Sequence, residues 1–261
     1  MRCLLIVTIA STLLLAVMSV PTNAVTIFHD NVAVQTVTFE DDAVGGQPVG
    51  WSPKTNKPWS ANNKVLDDAA DPGPAHAAST KYLVLDRASN SNSDGRGYID
   101  SWTPMSSGVA KASFMLYSPS TNNPGVAQIG FGGDLSDGLS VPIARKNGGV
   151  IEWRDGNAAA WAALDTETLT YESDVWQRWD LEIDLDTGIA SICIAGNCSG
   201  DLDTGRAGVT ISRLEIEAGW DGVAPHSKVY LDDVGAAVIP EPCTIVLLSM
   251  VAAMGLGFRR R

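Results

Sequence analysis

From Trp179 to Asp186 the chain alternates without a break: Trp179, Leu181, Ile183 and Leu185 interleave with Asp180, Glu182, Asp184 and Asp186. Side chains of a strand point to opposite faces with a period of two. The segment must therefore lie in a sheet with one face in a core and the other in water. Asp186-Thr187-Gly188 then turns the chain into the apolar run 189–194, and a further hairpin makes a three-stranded meander. Strand-like segments recur at 34–40, 82–86, 97–102, 112–117, 127–132, 150–153, 176–185, 189–194, 209–218 and 228–234, separated by Gly, Asn, Asp and Pro clusters. Between 25 and 238 no amphipathic helical pattern of useful length appears, and the alanine-rich 158–163 reads as strand or loop. The polar stretches 56–78 and 89–96 read as long surface loops. Together these features predict one all-β domain over 25–238, an antiparallel β-sandwich.

The two ends are of another kind. Met1-Arg2 precedes an apolar region, 3–20, broken only by Thr8, Ser11, Thr12 and Ser19, and Thr22-Asn23-Ala24 offers a small-residue cleavage site. This is the pattern of a secretory signal peptide, a signal helix over 1–24. Cys3 stands at the very start of the apolar region, too early to be a lipoprotein cysteine. At the other end Pro240-Glu241-Pro242 leads into the apolar run 243–258, closed by Arg259-Arg260-Arg261. As a transmembrane helix that run measures about 24 Å, slightly short of a ~30 Å hydrocarbon core. The arginines would stay on the cytoplasmic side. A Pro-Glu-Pro motif, an apolar helix and a basic cluster in this order resemble the bacterial PEP-CTERM sorting signal, here covering 239–261. The resemblance implies a transient inner-membrane anchor, cutting near Pro-Glu-Pro by an exosortase-type protease, and release to the cell surface or extracellular matrix. A generic membrane anchor is the alternative and predicts the same topology.

The whole chain carries a net charge of −12. Without Arg2 and Arg259 to Arg261, fourteen of the eighteen basic residues remain; without Glu241, twenty-nine of the thirty acidic ones remain, so the body carries about −15. Such a surface repels nucleic acid and favours solubility or cation binding. Two of the four cysteines lie in the ends, leaving Cys193 and Cys198. If Ala195-Gly196 is a two-residue hairpin loop, these two face each other at ~4.5–5.5 Å between Cα atoms, a span a disulfide bridges. A turn on Gly196-Asn197 would shift that register. Export makes oxidation plausible.

The dispersed features Phe39-Glu40 with Gly45, Pro48 and Gly50-Trp51, then Trp153-Arg154-Asp155-Gly156 and Trp176-Gln177-Arg178-Trp179, then the Ala195-Gly196 hairpin and the closing Val229-Tyr230-Leu231-Asp232-Asp233-Val234, resemble a concanavalin A-like lectin/glucanase jelly roll. Laminin-G-like and many carbohydrate-binding domains share that sandwich. Within it, Glu182, Asp184 and Asp186 look like the acidic strand of laminarinase-like glycoside hydrolases. Retaining hydrolysis needs two carboxyls ~5–5.5 Å apart, and here the closing glutamate is replaced by Asp186, or by Thr187 in the longer spacing. An exposed, solvated strand face is the plainer account, so no catalytic residue is expected. His29, His76 and His226 read as loop residues, and with no Gly-x-Ser-x-Gly they suggest no triad.

In carbohydrate-binding jelly rolls a structural calcium often joins the first and last strands, and calcium takes six to eight oxygen ligands. The resemblance therefore points to Glu40 and Asp233 as ligands, drawn from Glu40-Asp41-Asp42 and Asp232-Asp233; the alternative is that these acids merely solvate strand ends. The oxygen-rich 90–95 reads as a plain turn. All eight tryptophans lie in the body. Alternation places Trp179 in the core, and Trp102 is expected there too, whereas Trp51, Trp59, Trp161 and Trp220 stand next to residues that favour exposed loops. Trp153 with Asp155, and Trp220 with Asp221, pair a ring with a carboxylate at turns and are the expected sugar contacts; the alternative for each ring is burial. The expected protein is an exported, non-enzymatic surface or matrix component that binds extracellular polysaccharide, with a structural calcium. A divergent glycoside hydrolase and a purely structural matrix protein are the alternatives.

Overall fold

A computed structural model of the chain describes residues 25–30, 32–37, 39–53, 59–67, 80–87, 96–99, 103–119, 127–132, 140–147, 150–155, 160–164, 169–218 and 227–232. All lie in one compact unit, Asn23–Val234. The expected signal peptide and sorting segment, including Pro240, Glu241, Pro242, Arg259, Arg260 and Arg261, fall outside the described residues.

The first strands are β1 (Val25–His29), β2 (Val32–Val37), β3 (Trp51–Ser52), β4 (Lys64–Asp67), β5 (Lys81–Arg87) and β6 (Arg96–Ile99). Then come β7 (Val109–Tyr117), β8 (Ala127–Gly132), β9 (Ser140–Asn147), β10 (Val150–Asp155) and β11 (Ala160–Ala163). The last are β12 (Gln177–Asp184), β13 (Ile189–Ile194), β14 (Asn197–Cys198), β15 (Leu202–Asp203), β16 (Arg213–Ala218) and β17 (Ser227–Asp232). No helix occurs among the described residues. A ten-stranded sheet runs in the order β14-β13-β12-β7-β17-β5-β4, with β1 also on β7, β2 on β1 and β15 on β13. A seven-stranded sheet runs β11-β10-β9-β8-β16-β6-β3. The pairings in both are antiparallel, as a sandwich built from short turns requires.

One hydrophobic core joins the two sheets. Strand β12 buries every second residue, and its register sets Trp179 beside Phe114, Leu181 beside Ala112 and Ile183 beside Ala110. The small residues of β7 leave room for the larger ones of β12. The seven-stranded sheet supplies Leu214, Ile216, Ile129 and Phe131, all fully buried. Each such side chain contributes about 1.5–3 kcal/mol by leaving water, against the entropy of ordering the chain.

Some expectations need correction. Strand β4 lies inside 56–78, read from sequence as loop, and its edge is closed by Gly45 N–H to the Val65 carbonyl (2.7 Å) and Val65 N–H to the Gly46 carbonyl (3.0 Å). Strand β9 was not expected at all. Trp51 is buried rather than exposed, because Gly97, two residues before its β6 partner Ile99, has no side chain: a Cβ there would stand 2.7 Å from the indole ring. Trp59 is partly buried against the core and donates its indole N–H to the Asn63 carbonyl at 2.6 Å. The first and last strands are not paired with each other; β1 and β17 both pair with β7, at different stretches.

The meander forms as expected. Cys193 opposes Cys198 and Ile194 opposes Asn197, so Ala195-Gly196 is the two-residue loop and the disulfide is made. Both loop residues have positive φ, 50° at Ala195 and 85° at Gly196, the pattern of a type I′ turn. An alanine in the left-handed region costs about 1–2 kcal/mol, whereas asparagine tolerates it. Ala195→Asn is therefore expected to raise unfolding stability by roughly 0.5–1 kcal/mol, read as a higher urea midpoint at an unchanged slope.

Candidate functional site

The outer face of the ten-stranded sheet, away from the core, carries a graded surface along β12 and β7. Register brings Arg178 beside Met115, Asp180 beside Ser113, Glu182 beside Lys111 and Asp184 beside Val109. The acidic residues foreseen on this face are mostly engaged. Asp180 accepts from the Arg178 guanidinium through both oxygens at 2.9 Å and from the Ser113 hydroxyl at 2.6 Å. Glu182 lies 3.8 Å from the Lys111 ammonium, both half-exposed.

The expected row of three carboxylates does not assemble. The strand ends at Asp184, whose carboxylate accepts the backbone N–H groups of Asp186 (2.9 Å) and Thr187 (3.1 Å). Those bonds hold its carboxyl below the usual range. Asp186 sits in the turn and accepts from the Gly108 N–H at 3.1 Å. Two of the three carboxylates thus bond into a turn, while Glu182 faces Lys111 on the strand.

At the other end of the same face lies a feature that sequence reasoning missed. Tyr82, Trp176, Tyr117 and Tyr230 form a closed circuit of ring contacts: 6.4 Å between Tyr82 and Trp176, 5.6 Å from Trp176 to Tyr117, and 5.7 Å for both Tyr117–Tyr230 and Tyr230–Tyr82. Tyr230 of β17 is in register with Tyr117 of β7 and with Val84 of β5. Leu66, Tyr82 and Val84 are buried here as a cluster separate from the main core, with Trp176 and Tyr230 partly buried against them. Tilted and edge-to-face contacts of this kind contribute about 0.5–1.5 kcal/mol each. A signal was present: Tyr82-Leu83-Val84-Leu85 is continuously apolar, which marks a strand covered on both faces.

Polar groups rim the circuit. The Tyr117 hydroxyl donates to Asp174 at 3.4 Å and the Tyr171 hydroxyl to the Ser118 carbonyl at 3.4 Å. Burial, and then the Asp174 charge, raise the Tyr117 phenol above its ordinary range. Burial pushes Tyr171 up to about 12. Both stay protonated at neutral pH and remain donors. Two register pairs beyond Tyr230 and Val84, Lys228 meets Asp86 at 3.0 Å.

Trp153 is partly buried and packs against the main core, and Asp155 ends β10. The Asp155 side chain, Trp220 and Asp221 fall outside the described residues.

Of the expected calcium ligands, Asp233 also falls outside the described residues, and Glu40 is fully engaged. Its carboxylate accepts the Thr80 N–H (2.8 Å), the Thr80 hydroxyl (2.7 Å) and the Lys81 N–H (3.1 Å), capping the start of β5. Partial burial pushes this carboxyl up, but those bonds and the Lys81 charge together outweigh it and leave it lowered. Nearby, burial raises Asp42, although its carboxylate accepts the Val49 N–H at 3.0 Å. No cluster of three or more His, Cys, Asp or Glu suited to a metal ion occurs among the described residues.

No protein-family model matches the sequence. No curated protein matches it. Solved structures do resemble it. A sialidase superposes with a TM-score of 0.50 at 13% identity, over 82% of this chain and 18% of the sialidase. A Bacillus licheniformis β-glucanase gives 0.45 at 11% identity, covering 82% of this chain and 99% of the glucanase. The carbohydrate-binding module CBM66 from Bacillus subtilis gives 0.39 at 14% identity, covering 69% and 91%. The chain thus spans less than a fifth of the sialidase, and likeness at such identities concerns the fold alone. What the sialidase match shows is the architecture already described, a two-sheet antiparallel sandwich of the jelly-roll kind.

Proposed function

We propose that this chain is an exported, non-enzymatic carbohydrate-binding protein of the cell surface or extracellular matrix. Its glycan surface is the outer face of the ten-stranded sheet around Tyr117, Trp176 and Tyr230. The observation that carries this reading is the set of three partly exposed rings, Tyr117, Trp176 and Tyr230, seated on buried Tyr82 at a solvent-side sheet face and bordered by hydroxyls and charged pairs. Aromatic rings offer apolar area to the C–H face of a sugar, and the polar rim offers partners to its hydroxyls. The names of the β-glucanase and of the carbohydrate-binding module agree with a carbohydrate partner. Hydrolysis is disfavoured because the carboxyls flanking Glu182 on its face are already engaged, Asp180 by Arg178 and Ser113 and Asp184 by the backbone of the turn. Export follows from the signal-like start and the PEP-CTERM-like tail, with the inner membrane and an exosortase-type protease as transient partners. The Cys193–Cys198 disulfide suits an oxidising compartment outside the cytosol.

Binding of the full chain to a panel of neutral polysaccharides tests the site. Trp176→Ala or Tyr230→Ala is expected to weaken retention about tenfold, with melting monitored to confirm folding. Retention unchanged in both folded variants but lost in Trp220→Ala would move the site to the pair chosen from sequence. No retention by the wild type on any polymer would leave the structural-matrix reading.

A further inference from the structure

The loop after β2 is built around a cation that the chain itself supplies. The Lys81 ammonium, at the start of β5, donates to the Glu40 carbonyl at 2.6 Å and to the Asp42 carbonyl at 2.7 Å. Thr80 and Lys81 backbone groups take up the Glu40 carboxylate, so the segment is bonded to β5 from both directions. Lys81 also faces Asp67 in the register of β4 and β5. Two converging carbonyls beside carboxylates are hard oxygen donors of the sort calcium uses. An ammonium is a compact point charge with three N–H donors, and the same carbonyl oxygens accept from it at hydrogen-bond distance.

We infer that Lys81 takes the structural role that the fold resemblance assigns to calcium, tying the 39–49 loop to β5 without a metal ion. Glu40 does not fit the metal role, since its carboxylate oxygens already accept three bonds from Thr80 and Lys81. A dication at the Glu40 and Asp42 carbonyls would meet the ammonium at contact distance and be repelled. Asp42 belongs to the same unit, because its carboxylate fastens the loop at Val49 while its carbonyl holds Lys81. A domain tied in this way keeps its loop in surroundings where acidic polymers sequester divalent ions. The inference is independent of whether the aromatic face binds glycan.

Melting of the full chain in detergent, with EDTA and then with millimolar calcium chloride, tests it. The wild type is expected to melt at the same temperature in both. Lys81→Met is expected to melt roughly 3–6 °C lower, and Lys81→Arg, which keeps the charge, less far below the wild type. A calcium-dependent rise of several degrees in the wild type would overturn the inference, as would a Lys81→Met protein as stable as the parent. If Lys81→Met does not fold, the wild-type comparison and Lys81→Arg still decide.

Discussion

Glu217→Gln is expected to destabilise the domain by about 3–5 kcal/mol, the usual cost of breaking a buried ion pair from one side. Glu217 of β16 in the seven-stranded sheet lies 3.5 Å from the Arg87 guanidinium of β5 in the ten-stranded sheet. Their side chains are 3% and 2% exposed, so water contributes almost nothing to either charge. Neutralising Glu217 leaves a guanidinium in the interior without that opposing carboxylate. Arg87→Met should cost a similar amount for the converse reason. The double substitution Arg87→Met with Glu217→Leu removes both charges and is expected to recover much of the loss, because apolar replacements of buried pairs are often neutral or better. Urea unfolding of the two single variants and the double closes the cycle. Additive losses would mean that the two groups do not couple, and that the link between sheets rests on packing alone.

Gly188→Ala is expected to cost roughly 2–5 kcal/mol, from two separable sources. Gly188 closes the turn between β12 and β13 at φ 74°, a conformation that costs an alanine about 1–2 kcal/mol. A Cβ there would also stand 2.7 Å from the Ala207 backbone nitrogen, and backbone cannot swing aside as a side-chain tip can. The neighbouring bonds leave little slack: the Gly188 carbonyl accepts both the Thr204 N–H (3.1 Å) and the buried Thr204 hydroxyl (2.6 Å). Gly208 N–H likewise holds the Leu185 carbonyl at 2.7 Å. Gly196→Ala is the control, since Gly196 has φ 85° but nothing within 4 Å of its would-be Cβ. It should show the backbone penalty alone. Equal losses at the two positions, measured by chemical denaturation, would show that the 204–208 loop yields without cost.

How much of the candidate site could be read beforehand depended on the range of the contact involved. The acidic face of β12 was legible as a period-two pattern, yet its end at Asp184 was not, because the same alternation continues through Asp186 into the turn. Trp51 beside Gly50 carries the local chemistry of an exposed loop, and what buries it is the missing side chain of Gly97 on another strand. Tyr117 and Tyr230 stand at alternating positions that local reasoning assigns to solvent, and the apolar run from Tyr82 to Leu85 marks a covered strand without saying what covers it. The three tyrosines meet only because β7, β17 and β5 are neighbours in the ten-stranded sheet.

The amino-acid order alone determined which face of β12 enters the core and that the domain is built of strands, and it left two registers for the Cys193–Cys198 hairpin, of which the structure holds the one looping at Ala195-Gly196. Period-two patterning and two-residue loops are local constraints, complete within a few residues. Only the tertiary structure decided that Arg87 meets Glu217, that Lys81 reaches back 41 positions to the Glu40 carbonyl, and that Trp176 closes a circuit with three tyrosines. Those contacts follow from strand order across two sheets, a global packing choice that many sequences with the same local pattern would make differently.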